Sequence, residues 1–557
     1  MLHKLPIGVS DFRKLREKDY YYVDKSLFIK EVINRSSEVL LLPRPRRFGK
    51  TLNISMLRYF FEKREQSLAD LFKGLAIEQE VEMQHQGQYP VIFLTFKSCK
   101  ASSIEQCFYQ IRQILKTLYL EYKPVLYQTL DVEERQDYDL MTQEKGEISH
   151  LGNALSFLMR LFHRQTGKRV MVLLDEYDAP IHAGQEHGYY EEIVLFMKLL
   201  LGNALKDNSD LEKGVVTGVL RIAKESIFSD LNNLDVLSLL RSEFDNSFGF
   251  TEADIEKLTL DFSLDNSLET LKKWYNGYLF GNRVIYNPWS IISFLMSEDR
   301  LPRPYWINTA SDSLLRDIIT RTDPDFQEQI ETLLAGGTIT TTLNENIVLR
   351  DLEYSEENIW SLLLFSGYLK PVSMTFKEEE PIYEISIPNI EVRSFYRNTI
   401  KLWLQKTIGN QRLQKLLQAL VKTDFNTFEL LLKEMVLAVL SFHDTANNSP
   451  EKVYHAFVLG LLTHLMDRYV IRSNRESGYG RYDVLMIPLN KNEPGFVFEF
   501  KKVNKSKESK EEAMQSALNQ IQDKQYAVEL REQGVKEIWG IGVVVKGKKV
   551  WVENMSL

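Results

Sequence analysis

The chain has 557 residues, 44% of them apolar and 26% charged, an ordinary soluble globular composition too long for one core; domains of ~100–200 residues would divide it into about three or four. A net charge of −8 gives no global attraction to nucleic acid, so any such binding needs local basic patches. Two cysteines exclude a disulfide framework, and the absence of a signal-like apolar start or a ~20-residue uncharged apolar run leads us to expect a cytoplasmic protein with no membrane partner.

Residues 1 to about 225 read as alternating strands and helices. Val39–Leu42, Val91–Phe96, Val170–Leu174 and Val215–Leu220 are short β-branched or leucine runs. Helical patterns fall between them at Thr51–Lys63, Ile104–Tyr122, Ile148–Arg164 and Tyr190–Leu205. That alternation predicts a mostly parallel sheet covered on both faces. From about 225 to 300 the pattern turns helical, with Thr251 and Asp254 spaced as a helix start. Residues 300 to 425 are mixed: a helix over Asn358–Tyr368, a hairpin over Lys370–Ile387 and a helix over Val392–Leu404 would suit a winged-helix module. Asp444–Pro450 is polar and turn-rich, the best linker candidate. Beyond it come a helix over Glu451–Met466, three strands, a polar helix over Glu511–Leu530 and a last strand pair near Ile538–Val552.

The first strand runs into PRPRRFGKT and then a helix. In such a loop, backbone N–H groups and the helix N-terminus cradle phosphates, Lys50 reaches the β/γ oxygens, and the Thr51 hydroxyl ligates Mg2+. Arg46, Arg47, Phe48 and Gly49 complete the expected cradle. The strand at Val170 ends in two acids: Asp175 to hold Mg2+ through water, Glu176 to orient or deprotonate the attacking water. The spacing from Lys50 to Asp175, with one more strand in the sequence between them, is that of motif strands separated by an additional strand. The next strand ends in Thr217, placed to sense a γ-phosphate, with Arg221 just beyond. Arg44 stands where the loop pattern wants Gly, and Pro45 removes a donor; Arg44, Arg46 and Arg47 could compensate with side-chain charge. A basic surface loop beside an acidic turn is the competing account. His182 and His187 are expected on a loop.

Near the C-terminus, Arg481–Pro488 and Gly495–Val503 read as strands. Alternation in FEFK puts Glu499 and Lys501 on one face and both Phe side chains on the other. Asp483 and Glu499 could share one or two Mg2+ or Mn2+ ions, with Lys501 steadying the developing charge. Glu476 is a third acid candidate. Gln522 and Tyr526, expected on the following helix, resemble the Gln-x-x-x-Tyr element of RecB-like nucleases, Gln520 being an alternative amide. On the first helix His455 is a candidate active-site polar group or simply a satisfied helical histidine, and Glu451 is a competing candidate for the acid. A salt-bridge ladder across two strands would need the same charges. Five lysines in KKVNKSKESK could grip a phosphate backbone or simply form a solvated loop. Trp274, Tyr275, Tyr278, Tyr305 and Trp306 fit a core better than a base-stacking platform.

PRPRRFGKT, LLDEYDAP, TGVLRIAKESIFSDLNNL, YNPWS and the opening LPIGVSDFRKLREKDYYYVDKSLFI together resemble the bacterial AAA-ATPase-like proteins that carry a C-terminal PD-(D/E)XK-superfamily nuclease domain. Arg44 matches that family's arginine-rich loop. The resemblance implies an α/β chain with a P-loop ATPase domain of the additional-strand kind, expected over 1–225, a helical lid over 226–300 and a restriction-endonuclease-like domain over 426–557; the helix–hairpin–helix pattern between them leaves 301–425 as a helical, winged-helix-like middle domain. It implies ATP and Mg2+ as cofactors, nucleic acid (foremost DNA) as partner, and compatibility with a homo-oligomer. A signalling or scaffold ATPase whose last domain binds without cutting is the alternative.

Overall fold

The computed structural model describes residues 4–220, 231–264, 267–307, 318, 324–334, 336–346, 355–408, 410–440, 458, 461–477, 480–503, 509–523, 527–546 and 549–557. The linker Asp444–Pro450, Glu451, His455, Arg221, Tyr526 and residues 504–508 of the lysine run lie outside them. The chain divides into two compact units: residues 1–310 with 340–391, and residues 311–339 with 392–557. The middle region is therefore shared between the two.

The first unit is built on five parallel strands: β1 (Val39–Pro43), β2 (Val91–Thr95), β3 (Val170–Asp175), β4 (Leu211–Gly218) and β5 (Leu234–Val236), in the spatial order β2-β3-β4-β1-β5. Every residue of β1 and β3 is buried, which a strand shows only when both faces are covered. One strand does separate the two motif strands in space. It is β4, which follows both in sequence, whereas the sequence-intervening β2 lies at the sheet edge. The strand ends at Pro43, Thr95, Asp175 and Gly218 therefore line up, which is where an open parallel sheet binds its ligands.

After the sheet, Thr251 caps the helix Glu252–Asp261 through a reciprocal box with Asp254, as the sequence predicts. A short hairpin, β6 (Tyr278–Phe280) and β7 (Arg283–Ile285), leads to the helix Pro288–Met296. Tyr275, Tyr278 and Trp306 are buried, Tyr275 within the apolar cluster that includes Leu258, Tyr286 and Phe294; the core account of these aromatics holds. The helix Glu356–Phe365 and the hairpin β9 (Lys370–Lys377) with β10 (Glu380–Ser386) appear where expected, and β8 (Ile339–Thr342) pairs beside β10.

Glu391 is fully buried in the first unit, accepting the Trp306 backbone N–H at 2.7 Å and lying 2.8 Å from the Ser290 hydroxyl. Burial pushes its carboxyl up to about 8, against the opposing pull of those hydrogen bonds. The folded state then binds more protons than the unfolded chain between the ordinary glutamate pKa and about 8, so this group's contribution falls as pH rises through that window. Glu391→Gln should therefore melt above the wild type at pH 9, with the gap closing by pH ~5; parallel thermal melts at the two pH values check this.

The second unit carries the five-stranded mixed sheet β11 (Tyr469–Ser477), β12 (Gly480–Pro488), β13 (Gly495–Lys502), β14 (Ile538–Lys546) and β15 (Lys549–Ser556), in that order. Only β13 and β14 run parallel, because the helix Lys510–Asp523 makes the crossover between them. A shorter helix, Val528–Glu532, completes the expected polar helical stretch.

Candidate functional sites

In the first unit, Pro43 ends β1 and the chain turns through residues 44–49 into the helix Lys50–Phe61, with Gly49 at its N-cap in the left-handed region. Lys50 is buried, its Nζ donating to the carbonyls of Arg44 at 2.8 Å and Pro45 at 3.0 Å, and burial pulls its pKa down. Thr51 Oγ1 donates to Asp175 Oδ2 at 2.9 Å. Thr95 Oγ1 reaches the same oxygen at 3.2 Å, and Thr217 Oγ1 reaches Oδ1 at 3.0 Å. Burial and the neighbouring charge of Glu176 raise the Asp175 pKa, while Thr51, Lys50 and Thr217 oppose the rise. Glu176 is half-buried and holds φ at +50°, a conformation a non-glycine residue keeps only where its surroundings enforce it.

The loop's arginines divide by role. Arg44 is fully buried and turned away from the cradle, its guanidinium donating to the carbonyls of Pro43 (2.9 Å), Leu237 (2.6 Å) and Phe244 (3.4 Å) and lying over the rings of Phe248 and Phe280. The expectation that it lends charge to a phosphate is corrected here: it ties the loop to the segment after β5. Burial lowers its pKa to about 10, leaving it charged at neutral pH. Arg47, at φ +69°, is exposed and stacks 4.2 Å over Trp289, while Arg46 is half-buried. Phe48 is buried between Tyr278 and Phe280, so its side chain anchors the loop rather than lining it. Pro45 packs against the turn at Gly367. His182 and His187 lie on the helix Ala179–His187, not on a loop, because Pro180 at its first turn starts a helix readily.

A threonine hydroxyl and a carboxylate brought together at a helix N-terminus are the hard oxygen donors a Mg2+ ion takes. Asp178, Tyr177 and Thr95 were not singled out by sequence reasoning. Thr95 had a signal, a polar residue closing the apolar run VIFLT in register with Asp175.

In the second unit, β13 is buried from Gly495 to Phe500. Phe498 and Phe500 are fully buried with parallel rings 6.4 Å apart, while on the other face Lys501 Nζ stands 3.3 Å from Glu499 Oε1. Glu499 is only 2% exposed, a burial that a lone carboxylate does not tolerate in an apolar sheet. The β12–β13 ladder runs from Met486–Phe496 to Val484–Phe498 and stops. The Phe500 N–H instead donates to Asp483 Oδ2 at 2.7 Å, so the Asp483 carboxylate takes the place of a strand carbonyl where the two strands part. Glu499 is the register partner of Gly542 on β14, where an added Cβ would sit 2.9 Å from Met514 Sδ. The helix Lys510–Asp523 thus covers the face that carries Glu499 and Lys501. On that helix Gln522 is exposed and Gln520 half-buried. Glu476 has its backbone in β11 opposite Arg481, and its side chain lies outside the described residues. Among the described residues no group of three or more His, Cys, Asp or Glu gathers as a ready metal cluster.

Residues 6–228 match the family model described as Predicted AAA-ATPase, and residues 449–555 match that of the PD-(D/E)XK nuclease superfamily. The chain joins an AAA-ATPase-like domain to a PD-(D/E)XK-superfamily domain. It is also similar to an "Uncharacterized protein in vnfD 5'region" of Azotobacter chroococcum mcd 1, 26% identical over 537 residues that cover 95% of this chain and 94% of that protein. The match to the ATPase-like domain takes in residues 44–51, Asp175 and Thr217; the match to the nuclease-superfamily domain takes in Asp483, Glu499 and Lys501.

The ATPase-like domain offers a direct check on the division among its arginines. Arg44→Met should cost about 2–4 kcal/mol of unfolding free energy, because three carbonyls lose a charged donor. Arg47→Met, which gives up an exposed stack, should cost less than about 1 kcal/mol. Urea unfolding of both variants reads the difference.

Proposed function

We propose that this chain is an ATP-binding, ATP-regulated, Mg2+-dependent nuclease acting on DNA in the cytoplasm. The single observation that carries the reading is the Asp483, Glu499 and Lys501 arrangement: a buried carboxylate beside an amine, next to a second carboxylate that ends the strand pairing. Folding alone gives little reason to keep Glu499 buried there, since an apolar residue would spare its desolvation.

Asp483 and Glu499 would hold the cation, with Mn2+ as a substitute for Mg2+. A cation there supplies a water acidic enough to attack a phosphodiester and neutralises charge on the phosphate. Lys501, with its ammonium 3.3 Å from Glu499, would steady that charge. Glu476, Gln520 or Gln522, and Tyr526 are the groups proposed to complete the site. In the ATPase-like domain, Lys50 would exchange its two loop carbonyls for phosphate oxygens, Thr51 and Asp175 would hold the Mg2+, and Glu176 would orient the water. Thr217 and Arg221 would complete the γ-phosphate end, with the backbone of residues 46–49 as the cradle. Both cysteines are buried free thiols, in keeping with a reducing compartment. Among the described residues no helix is long and apolar enough to cross a membrane.

Glu499→Gln and Lys501→Ala should each lower Mn2+-dependent plasmid nicking at least about a hundredfold while leaving the melting temperature near that of the wild type. Undiminished nicking by a clean preparation of either variant would reject the cutting role and leave a binding domain. Lys50→Ala should weaken ATP binding by about tenfold to a hundredfold in calorimetric titration, the worth of a charge-assisted contact to phosphate.

A further inference from the structure

Asp178 is a buried carboxylate that the proposed reaction leaves unused. It occupies the N-cap position of the helix Ala179–His187, where an aspartate ordinarily caps its own helix, yet it makes no such bond. Its Oδ2 crosses to the residues just after β4 and accepts the N–H groups of Val219 at 2.7 Å and Leu220 at 3.0 Å, with His182 Nε2 at 3.3 Å. Tyr177 takes hold of the same stretch: its N–H donates to the Thr217 carbonyl at 3.1 Å, and its hydroxyl donates to the Leu220 carbonyl at 2.8 Å. Between these bonds lies Gly218, whose added Cβ would sit 2.7 Å from the Tyr177 ring and 2.8 Å from Asp178 Oδ1. Two consecutive residues after Glu176 therefore grip four consecutive residues at the end of β4, and the fit excludes any side chain in the middle.

We propose that Tyr177 and Asp178 are positioning residues of the ATPase site, clamping the end of β4 so that Thr217 stays against Asp175 while Glu176 faces the attacking water. The inference rests on the nucleotide reading of this domain. The clamp is the covalent continuation of the Asp175-Glu176 pair, so any slack in it moves Thr217 relative to Glu176. Misplacement on the ångström scale is felt in the chemical step much more than in binding. The carboxylate is held ionised here: burial alone would raise its pKa, but His182 and the two amides outweigh that and lower it. A charged acceptor holding two amides is a stiffer tie than a neutral one.

The test uses the full chain with Asp178→Asn, which keeps the shape but sets an amide against the two donors, and Tyr177→Phe, which keeps the ring over Gly218 and removes only the hydroxyl. Affinity for ATPγS is measured by calorimetry, kcat by phosphate release, and folding by thermal melts without nucleotide. We expect ATPγS affinity within about threefold of the wild type and a kcat lowered on the order of tenfold to a hundredfold in Asp178→Asn, with a smaller fall in Tyr177→Phe. Unchanged kcat overturns the clamp. So does a fall in kcat matched by equal losses of ATPγS affinity and melting temperature in both variants, which would mark a purely structural contact. A wild-type chain that binds ATPγS but releases no phosphate also overturns it. A wild-type chain that does not bind ATPγS at all refutes the nucleotide reading instead.

Discussion

The carboxylate of Asp175 draws together three hydroxyls that the sequence scatters over more than a hundred residues: Thr51 at a helix start, Thr95 at the end of β2 and Thr217 at the end of β4. A buried carboxylate needs such donors, because burial and the adjacent Glu176 both work against its charge. The strand order makes the meeting possible. With β4 inserted between β1 and β3, the loop after β1 and the acidic strand end stand apart by the width of one strand, and a single side chain can span the gap. The rest of the ATPase-like domain keeps those strand ends level.

The loop between β1 and its helix is held from behind by side chains as well as by the turn at Gly49. Where a small residue would let the backbone turn unaided, Arg44 sends its guanidinium into the core and fastens the loop to backbone carbonyls after β5. Phe48 sinks between two rings of the β6 segment, and Pro45 rests on the turn at Gly367. The loop's rigidity is thus borrowed from parts of the chain far away in sequence.

In the PD-(D/E)XK-superfamily domain the same economy appears at the parting of two strands. Asp483 replaces a ladder carbonyl as the acceptor for Phe500, so pairing ends without orphaning a buried N–H group. The carboxylate is thereby fixed at the mouth of the gap it creates. Glu499 and Lys501 follow on the face that the helix Lys510–Asp523 covers, and Gly542 is what lets that helix lie so close.

Local pattern alone determined the parallel α/β alternation, the tight loop between β1 and its helix, the acids closing β3, and the facing of Glu499 and Lys501 away from the two phenylalanines. These depend on period, turn chemistry and spacing, which neighbouring residues dictate to one another. Only the tertiary structure decided which strand separates the two motif strands, that Arg44 serves the core instead of the cradle, and that Asp178 reaches across to β4 rather than capping its own helix. Each of those turns on which distant backbone groups need a partner once buried, and a linear chain does not reveal its burial until the sheets have closed.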